Sequence, residues 1–408
     1  MTAEASDRTR QTHFPLFDSM RAIAALTVFL IHCVYQIAVN RPEDHAWYRF
    51  GVHLDVAVPI FFGVSGFLLY RPFLAATLAG RAPSLKAYAW RRVLRIVPAY
   101  WVALAVITIW FDLREVKSLE GVLRFGLFLQ IYDGDTALKG LGQAWTLGVE
   151  VTYYAFLPLF AIGIARARSI RTASLGVGAL IVSSVLWKAF ALTQTDAAVE
   201  ASGPWLYPLP SQLDHLGMGM LLAVLSVAVA QRGGTAPGLW GRLVKLVERR
   251  PAVPWLAAFA VWVLCSLVTE SGSRYGPPIT DPQYLVKHEL YALFVFLLLL
   301  PAVFGDHERR TLVRRVLAWR PLVYVGTISY SFYLFHYAVI AQQARWWDRF
   351  PTNPLEWTLW TALALAGSVA LGSLGYFLVE KPFMSLKRLV PAGPRAAQVE
   401  AAQARAAP

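Results

Sequence analysis

The sequence predicts an all-α, polytopic membrane protein with about ten transmembrane helices plus one short interfacial or re-entrant helix. Hydrophobic residues make up 57% of the 408 positions and charged residues only 15%, and the mean hydropathy is +0.47. These values are too apolar for a soluble globular domain. The apolar residues are also grouped into runs of roughly 20, the length at which a helix crosses the hydrocarbon core.

Ten apolar segments are candidate spans. They cover residues 17–39, 52–78, 93–111, 144–165, 173–192, 209–230, 253–269, 288–304, 322–344 and 355–379. A further run, residues 121–132, has about half the required length and contains Arg124, so we expect it to lie in the interface or to re-enter the bilayer.

Loop charge predicts the orientation, because Lys and Arg are retained on the cytoplasmic side. With ten crossings, the loops and termini on one side hold 24 Lys and Arg residues and those on the other side hold 10. We therefore expect both termini, residues 166–171 and residues 309–320 to be cytoplasmic.

The predicted organisation is one transmembrane domain, residues 17–388, between a cytoplasmic segment (1–16) and a disordered Ala- and Pro-rich cytoplasmic tail (389–408). The first apolar run lacks a cleavage site and is expected to act as an uncleaved anchor. Cys33 and Cys265 lie in apolar runs without disulfide or metal-site spacing. The formal charge of +13 is spread over many loops, so no nucleic-acid partner is expected. No metal is expected either.

Four basic residues fall inside the predicted spans, namely Arg21, Arg71, Arg95 and Lys188. A charge within the bilayer is costly unless it is paired or solvated, so each of these residues is a candidate for function. The alternative for the arginines is that their side chains extend to the headgroups.

Arg21 and His32 are eleven residues apart, which corresponds to about 16 Å and three turns of one helix, so both lie on the same face. Glu150 is predicted at a similar depth to His32 and is expected to be its neighbour. A neutral imidazole beside a buried carboxylate is a general base for a hydroxyl group, although a buried ion pair without chemistry is the alternative. The candidate catalytic residues are therefore His32, Glu150 and Arg21, and the candidate substrate-binding residues are Trp145, Tyr330, Tyr333 and His336.

The stretch "RRVLR" places three arginines at the start of a predicted helix. Guanidinium groups suit phosphate oxygens, whereas a positive-inside anchor is the alternative explanation. Ser65 and Gly66 are small residues that permit close approach of a neighbouring helix or a slender ligand. The candidate cofactor-binding residues are Arg91, Arg92, Arg95, Arg71 and Ser65.

These motifs together resemble the acyltransferase 3 family of integral membrane O-acyltransferases. The resemblance runs from Phe17 to Phe383 and is carried by Arg21 with His32, "FFGVSGFLL", "RRVLRIVPAYW", "WTLGVEVTYY", "DHLGMGMLLA", "VGTISYSFYLFH" and "VEKPF". The chain departs from the common pattern at Pro59 and Val151, where family members often have acidic residues, and this leaves Glu150 as the main acidic partner.

The resemblance implies ten transmembrane helices in a bacterial inner membrane and a cytoplasmic acyl-CoA, such as acetyl-CoA, as donor. It also implies transfer of a short acyl group to a carbohydrate hydroxyl, with essential roles for the residues matching Arg21, His32 and Glu150. The acceptor is expected to be a cell-envelope glycan, a glycolipid or a glycosylated small molecule such as a macrolide sugar. A transporter or acyl-group translocator that uses the same three residues as a relay is the alternative.

Overall fold

The computed structural model describes residues 14, 16–40, 46–165, 168–195, 203–234, 238–270, 279–305, 311–347, 351 and 353–390. The predicted N-terminal segment and C-terminal tail lie outside these ranges except for Phe14, Leu16, Leu389 and Val390.

The described residues form α-helices joined by short loops and turns. The first eight are α1 (Leu16–Asn40), α2 (Ala46–Val52), α3 (Ala57–Leu78), α4 (Leu85–Phe111), α5 (Arg114–Lys117), α6 (Leu119–Gly126), α7 (Trp145–Ala165) and α8 (Ile170–Leu192). The others are α9 (Gly203–Leu206), α10 (Leu209–Gln231), α11 (Gly238–Arg249), α12 (Ala252–Val268), α13 (Asp281–Phe304), α14 (Leu312–Leu317), α15 (Arg320–Trp346), α16 (Pro354–Gly375) and α17 (Lys381–Ser385).

The predicted fold class is confirmed, because every described element is helical and each predicted span is a helix. Nine helical segments within the described ranges are long and apolar enough to cross a membrane. The remaining predicted span, residues 253–269, corresponds to α12, which has only 17 residues and follows α11 across a bend of 102°. α11 carries exposed Leu239 and Trp240 beside charged residues, a composition typical of a helix that lies along the interface.

The predicted short helix is also present. Ser118 accepts a hydrogen bond from the Gly121 backbone amide at 2.9 Å and so caps α6. α6 ends at Gly126, and Phe128 then adopts a left-handed φ of 62° before the 3-10 turn Leu129–Tyr132. Residues 121–132 are thus split into two short pieces, neither of which can span a bilayer.

α3 and α10 form the centre of the bundle because glycines let their backbones touch. A Cβ atom on Gly66 would lie 2.1 Å from the carbonyl oxygen of Leu216, and one on Gly219 would lie 1.9 Å from that of Gly63. Such close approach of small residues is a common basis of helix association in membranes. It fixes the position of Ser65, which lies beside this contact on α3.

α1 packs along α15 in a similar way. A Cβ atom on Gly326 would lie 1.9 Å from the carbonyl oxygen of Asp18, so the start of α15 is close against the start of α1. We call this end of the bundle the basic end, since Arg21 lies there, and the opposite end the histidine end, since His32 and His336 lie towards it.

Candidate active site

A cavity of about 250 Å³ lies within the bundle among α1, α3, α4, α7 and α15. Seven of the residues that the sequence singles out line it. They are Arg21, Ser65, Arg92, Arg95, Glu150, Tyr330 and Tyr333. Apolar residues such as Phe61, Phe62 and Leu68 complete its lining, so the charged groups share the cavity with apolar side chains.

Glu150 is the acidic group of this cavity. One carboxylate oxygen accepts a hydrogen bond from the Ser65 hydroxyl at 2.7 Å, and the other accepts one from the Tyr154 hydroxyl at 3.0 Å. These two donors fix the orientation of the carboxylate. Ser65 therefore contacts the acidic group directly, a role that the sequence alone does not indicate.

Two of the three cavity arginines already have acidic partners. Arg21 is 3.2 Å from Asp18, one turn earlier on α1. Arg95 forms an ion pair with Glu380, whose side chain is fully buried and also accepts a hydrogen bond from Ser331 at 2.9 Å. A charge that is paired inside the protein is much less costly to bury.

Arg92 is different, because it makes no ion pair or hydrogen bond among the described residues, and its Nε atom is buried without a partner. Its guanidinium lies 5.7 Å from the ring centroid of Tyr154, an arrangement that favours a cation–π interaction. This leaves the guanidinium of Arg92 available to an anionic group that enters the cavity.

His32 forms a pair with His336. Nδ1 of His336 lies 2.7 Å from the carbonyl oxygen of Tyr333, so this nitrogen carries the ring proton and donates it. Nε2 of His336 is then an acceptor, and it lies 3.1 Å from Nδ1 of His32, which also faces the Val28 carbonyl at 2.9 Å. This network assigns the His32 proton to Nδ1 and leaves Nε2 as the basic nitrogen.

The predicted proximity of His32 and Glu150 does not take the form of a hydrogen bond, because the partners of Glu150 are Ser65 and Tyr154 and the partner of His32 is His336. The histidine pair lies behind one wall of the cavity. That wall contains Phe61 and Tyr333, whose rings are 5.7 Å apart, and Tyr333 packs against Val28.

The hydroxyl groups of the two predicted tyrosines are used within the protein. Tyr330 donates to the Ile96 carbonyl at 2.8 Å, and Tyr333 donates to the Gln143 carbonyl at 2.7 Å. Both residues therefore present their rings to the cavity, and their hydroxyls hold α15 against α4 and against the start of α7.

Three other predicted residues do not line the cavity. Arg71 donates to Ser226 at 3.0 Å and lies over the ring of Phe14, and Arg91 lies next to the cavity arginine Arg92 in the sequence but outside the lining. Trp145 packs against the cavity-lining residue Phe62, with 6.3 Å between the two ring centroids.

Sequence reasoning missed three polar residues around the site, Asp18, Tyr154 and Glu380. Asp18 has a sequence signal, since it precedes Arg21 by three residues and so shares its helix face. Glu380 belongs to the quoted "VEKPF" stretch, but no pattern in the sequence connects it with an arginine 285 positions earlier.

Comparison with known proteins shows which family the chain is similar to. Residues 15–373 match the model of an acyltransferase domain, acyltransferase 3. The chain is 24% identical over 402 residues to peptidoglycan O-acetyltransferase OatA of Listeria monocytogenes, covering 92% of this chain but only 56% of that protein. It is 23% identical over 400 residues to nodulation protein 10 of Rhizobium leguminosarum, covering 91% of this chain and 93% of that protein.

The chain thus spans about half the length of OatA. No solved structure gives a significant match. Because the family model covers nearly all of the membrane-embedded helices and the buried charges lie within the matched region or directly after it, the chain belongs to the acyltransferase 3 family.

Proposed function

We propose that the protein is a membrane O-acyltransferase that moves a short acyl group from acyl-CoA to a hydroxyl group of a carbohydrate. The observation that carries this proposal is the cavity in which Arg21, Arg92 and Arg95 face Glu150. Family membership and the name of OatA, a peptidoglycan O-acetyltransferase, support an acyl-transfer reaction on a cell-envelope glycan.

The donor enters from the basic end, which the loop charges assign to the cytoplasm. An acyl-CoA has phosphates at one end and a thioester at the other. The phosphates bind the unpaired guanidinium of Arg92 first, while Arg21 and Arg95 add positive potential from their ion pairs. The apolar wall then accommodates the pantetheine arm as it extends towards Phe61 and Tyr333.

Chemistry takes place at the wall between the cavity and the histidine pair. Nε2 of His32 takes the proton of the acceptor hydroxyl as its oxygen attacks the thioester carbonyl, so that a C–O bond forms while the C–S bond breaks. The leaving thiolate of CoA receives the proton. His336 holds His32 in the tautomer that this step needs, and Glu150 adds a negative charge that favours the transient imidazolium.

The acceptor approaches from the histidine end, and the wall residues Phe61 and Tyr333 separate the two substrates until the acyl group arrives. A cell-envelope glycan is the favoured acceptor because of the relative from Listeria. With this arrangement, the protein resides in the bacterial inner membrane with both termini in the cytoplasm.

The test is incubation of membranes containing the protein with acetyl-CoA labelled in the acetyl group and with peptidoglycan. We expect an alkali-labile labelled ester on the glycan and release of free CoA, and we expect Glu150→Gln to lose most of both. A transporter that uses the same residues as a relay would produce no ester, so unmodified glycan in every condition would contradict the proposal.

A further inference from the structure

A second group of buried charges lies outside the cavity, near the end of α8 and the starts of α10 and α13. We call Lys188, Asp214, His215, His288 and Glu289 the ionic cluster. Lys188 Nζ is 2.5 Å from a carboxylate oxygen of Asp214 and 2.9 Å from one of Glu289. The side chains of Lys188 and Asp214 are fully buried, whereas that of Glu289 is 36% exposed.

Two members of this cluster retain unused polar atoms. Within the part of the chain that the structure describes, Nδ1 of His288 is buried without a hydrogen-bond partner. Lys188 occupies one oxygen of Glu289 and, among the described residues, leaves the other without a hydrogen bond. A polar atom left unpaired in this way is costly unless a ligand or water satisfies it.

Aromatic residues extend from the cavity on one side and from the cluster on the other. The cavity residue Phe62 lies 6.3 Å from Trp145, and Trp145 lies 4.9 Å from Tyr207. Tyr284 packs against an apolar group that includes Leu206, the neighbour of Tyr207, and its ring is 4.2 Å from that of His288. We call Trp145, Tyr207 and Tyr284 the aromatic wall.

Aromatic rings beside fixed hydrogen-bonding groups are the combination that binds a sugar ring. Its C–H faces are apolar and stack on aromatic rings, while its hydroxyl groups need hydrogen-bond acceptors and donors held in fixed positions. The three aromatic wall residues are partly exposed, and they lead to His288 and Glu289. Aromatic residues that only anchor a helix in the interface need no such connection to buried charges.

A metal ion is the alternative ligand for the cluster. Ligand atoms of Asp214, His215 and His288 lie within 4.8 Å of one another. The ammonium group of Lys188, however, is already 2.5 Å from Asp214, and a divalent cation there would be strongly repelled. The lysine therefore makes a metal unfavourable and holds Glu289 in position instead.

We propose that the aromatic wall, together with His288 and Glu289, binds a sugar unit of the acceptor glycan. The proposal rests on the proposed function for the identity of the ligand, and it adds the place at which the acceptor is held. The wall leads from this site to Phe62, so the next unit of the glycan is directed towards the acyl group.

The experiment measures binding of soluble peptidoglycan fragments to the purified, detergent-solubilised protein by calorimetry, without any acyl donor. Loss of one stacking ring weakens binding by about three- to tenfold, so we expect that increase in Kd for Tyr284→Leu and for Trp145→Leu. Tyr284→Phe retains the ring and should bind like the wild type. Trp346→Leu is the matched control, because Trp346 is 73% exposed on α15 and away from the wall.

Equal binding by Tyr284→Leu and Trp346→Leu, in preparations with the same melting temperature, would overturn the proposal, as would a wild-type protein that binds no fragment. The two proposals fail in different ways. Fragment binding that depends on Tyr284, without any acyl transfer by the wild type, would contradict the proposed function alone. Acyl transfer with an unchanged KM for the glycan in Tyr284→Leu would contradict the sugar site alone.

Discussion

Three arginines line the same cavity, yet their partners give them different roles. Arg21 and Arg95 are each paired with a carboxylate, whereas Arg92 has no such pair among the residues that the structure describes. A paired guanidinium mainly stabilises the folded protein, whereas an unpaired one can gain an anionic ligand. The sequence predicts all three as phosphate ligands or catalytic groups, because it shows where charges lie along a helix and not which helix faces them.

Arg92→Lys should therefore weaken donor binding, because lysine keeps the charge but loses the planar fork that binds phosphate oxygens. We expect the KM for acetyl-CoA to rise by about tenfold, as for loss of one charge-assisted hydrogen bond. Arg91→Lys is the matched control, since Arg91 is the adjacent arginine and does not line the cavity. The same KM increase in both variants would mean that Arg92 has no special role.

His32→Ala should abolish acyl transfer while the protein still inserts and remains monodisperse. A general base contributes about 10²–10⁴-fold to the rate, and His32 is the ring whose Nε2 is left free by the network with His336. Cys33→Ala on the same helix should retain activity. Turnover close to that of the wild type in His32→Ala would assign the histidine a structural role.

At the scale of helices, the sequence predicts spans well and helix contacts poorly. Runs of apolar residues locate α1, α3 and α10 because length and hydropathy are local properties. The contact between α3 and α10 depends on Gly63 and Gly66 on one helix and on Gly219, about 150 residues later, on the other. The bend between α11 and α12 is equally difficult to predict. Composition alone does not show the angle at which a short amphipathic helix meets a short apolar one.

Gly219→Ala should destabilise the bundle. The added methyl group would lie 1.9 Å from the Gly63 carbonyl oxygen, and overpacking of this kind costs about 1–3 kcal/mol. We expect a lower melting temperature in detergent and lower yield. Gly178→Ala on α8 is the control, because its added Cβ meets no described atom of another helix within 4 Å. An equal loss in both variants would show that close packing at Gly219 is not the cause.

For the whole molecule, orientation in the membrane follows from charge rather than from shape. The excess of basic residues on one side predicts that α14 and the start of α15 face the cytoplasm, while residues 112–143 face outward. This orientation is a prediction from the sequence that a direct measurement tests.

That measurement is labelling of single cysteines in intact cells with a maleimide that does not cross the membrane. In a background with Cys33→Ala and Cys265→Ala, Lys139→Cys should be labelled directly, because Lys139 is exposed in the loop between α6 and α7. Arg315→Cys should be labelled only after permeabilisation. The predicted arrangement has an odd number of crossings between the two positions, so they lie on opposite sides of the membrane. Direct labelling of Arg315→Cys would contradict that arrangement.

The ion pair between Arg95 and Glu380 has a consequence for how the protein is made. Arg95 enters the membrane early in translation, but its partner emerges from the ribosome 285 residues later. During that interval the guanidinium must remain hydrated or be shielded by the insertion machinery, because a bare cation in lipid is unfavourable. The π-helical turn Tyr376–Glu380 then places the carboxylate against α4. Assembly of the cavity is thereby delayed until nearly the entire bundle has been synthesised, so a nascent chain lacks the complete site.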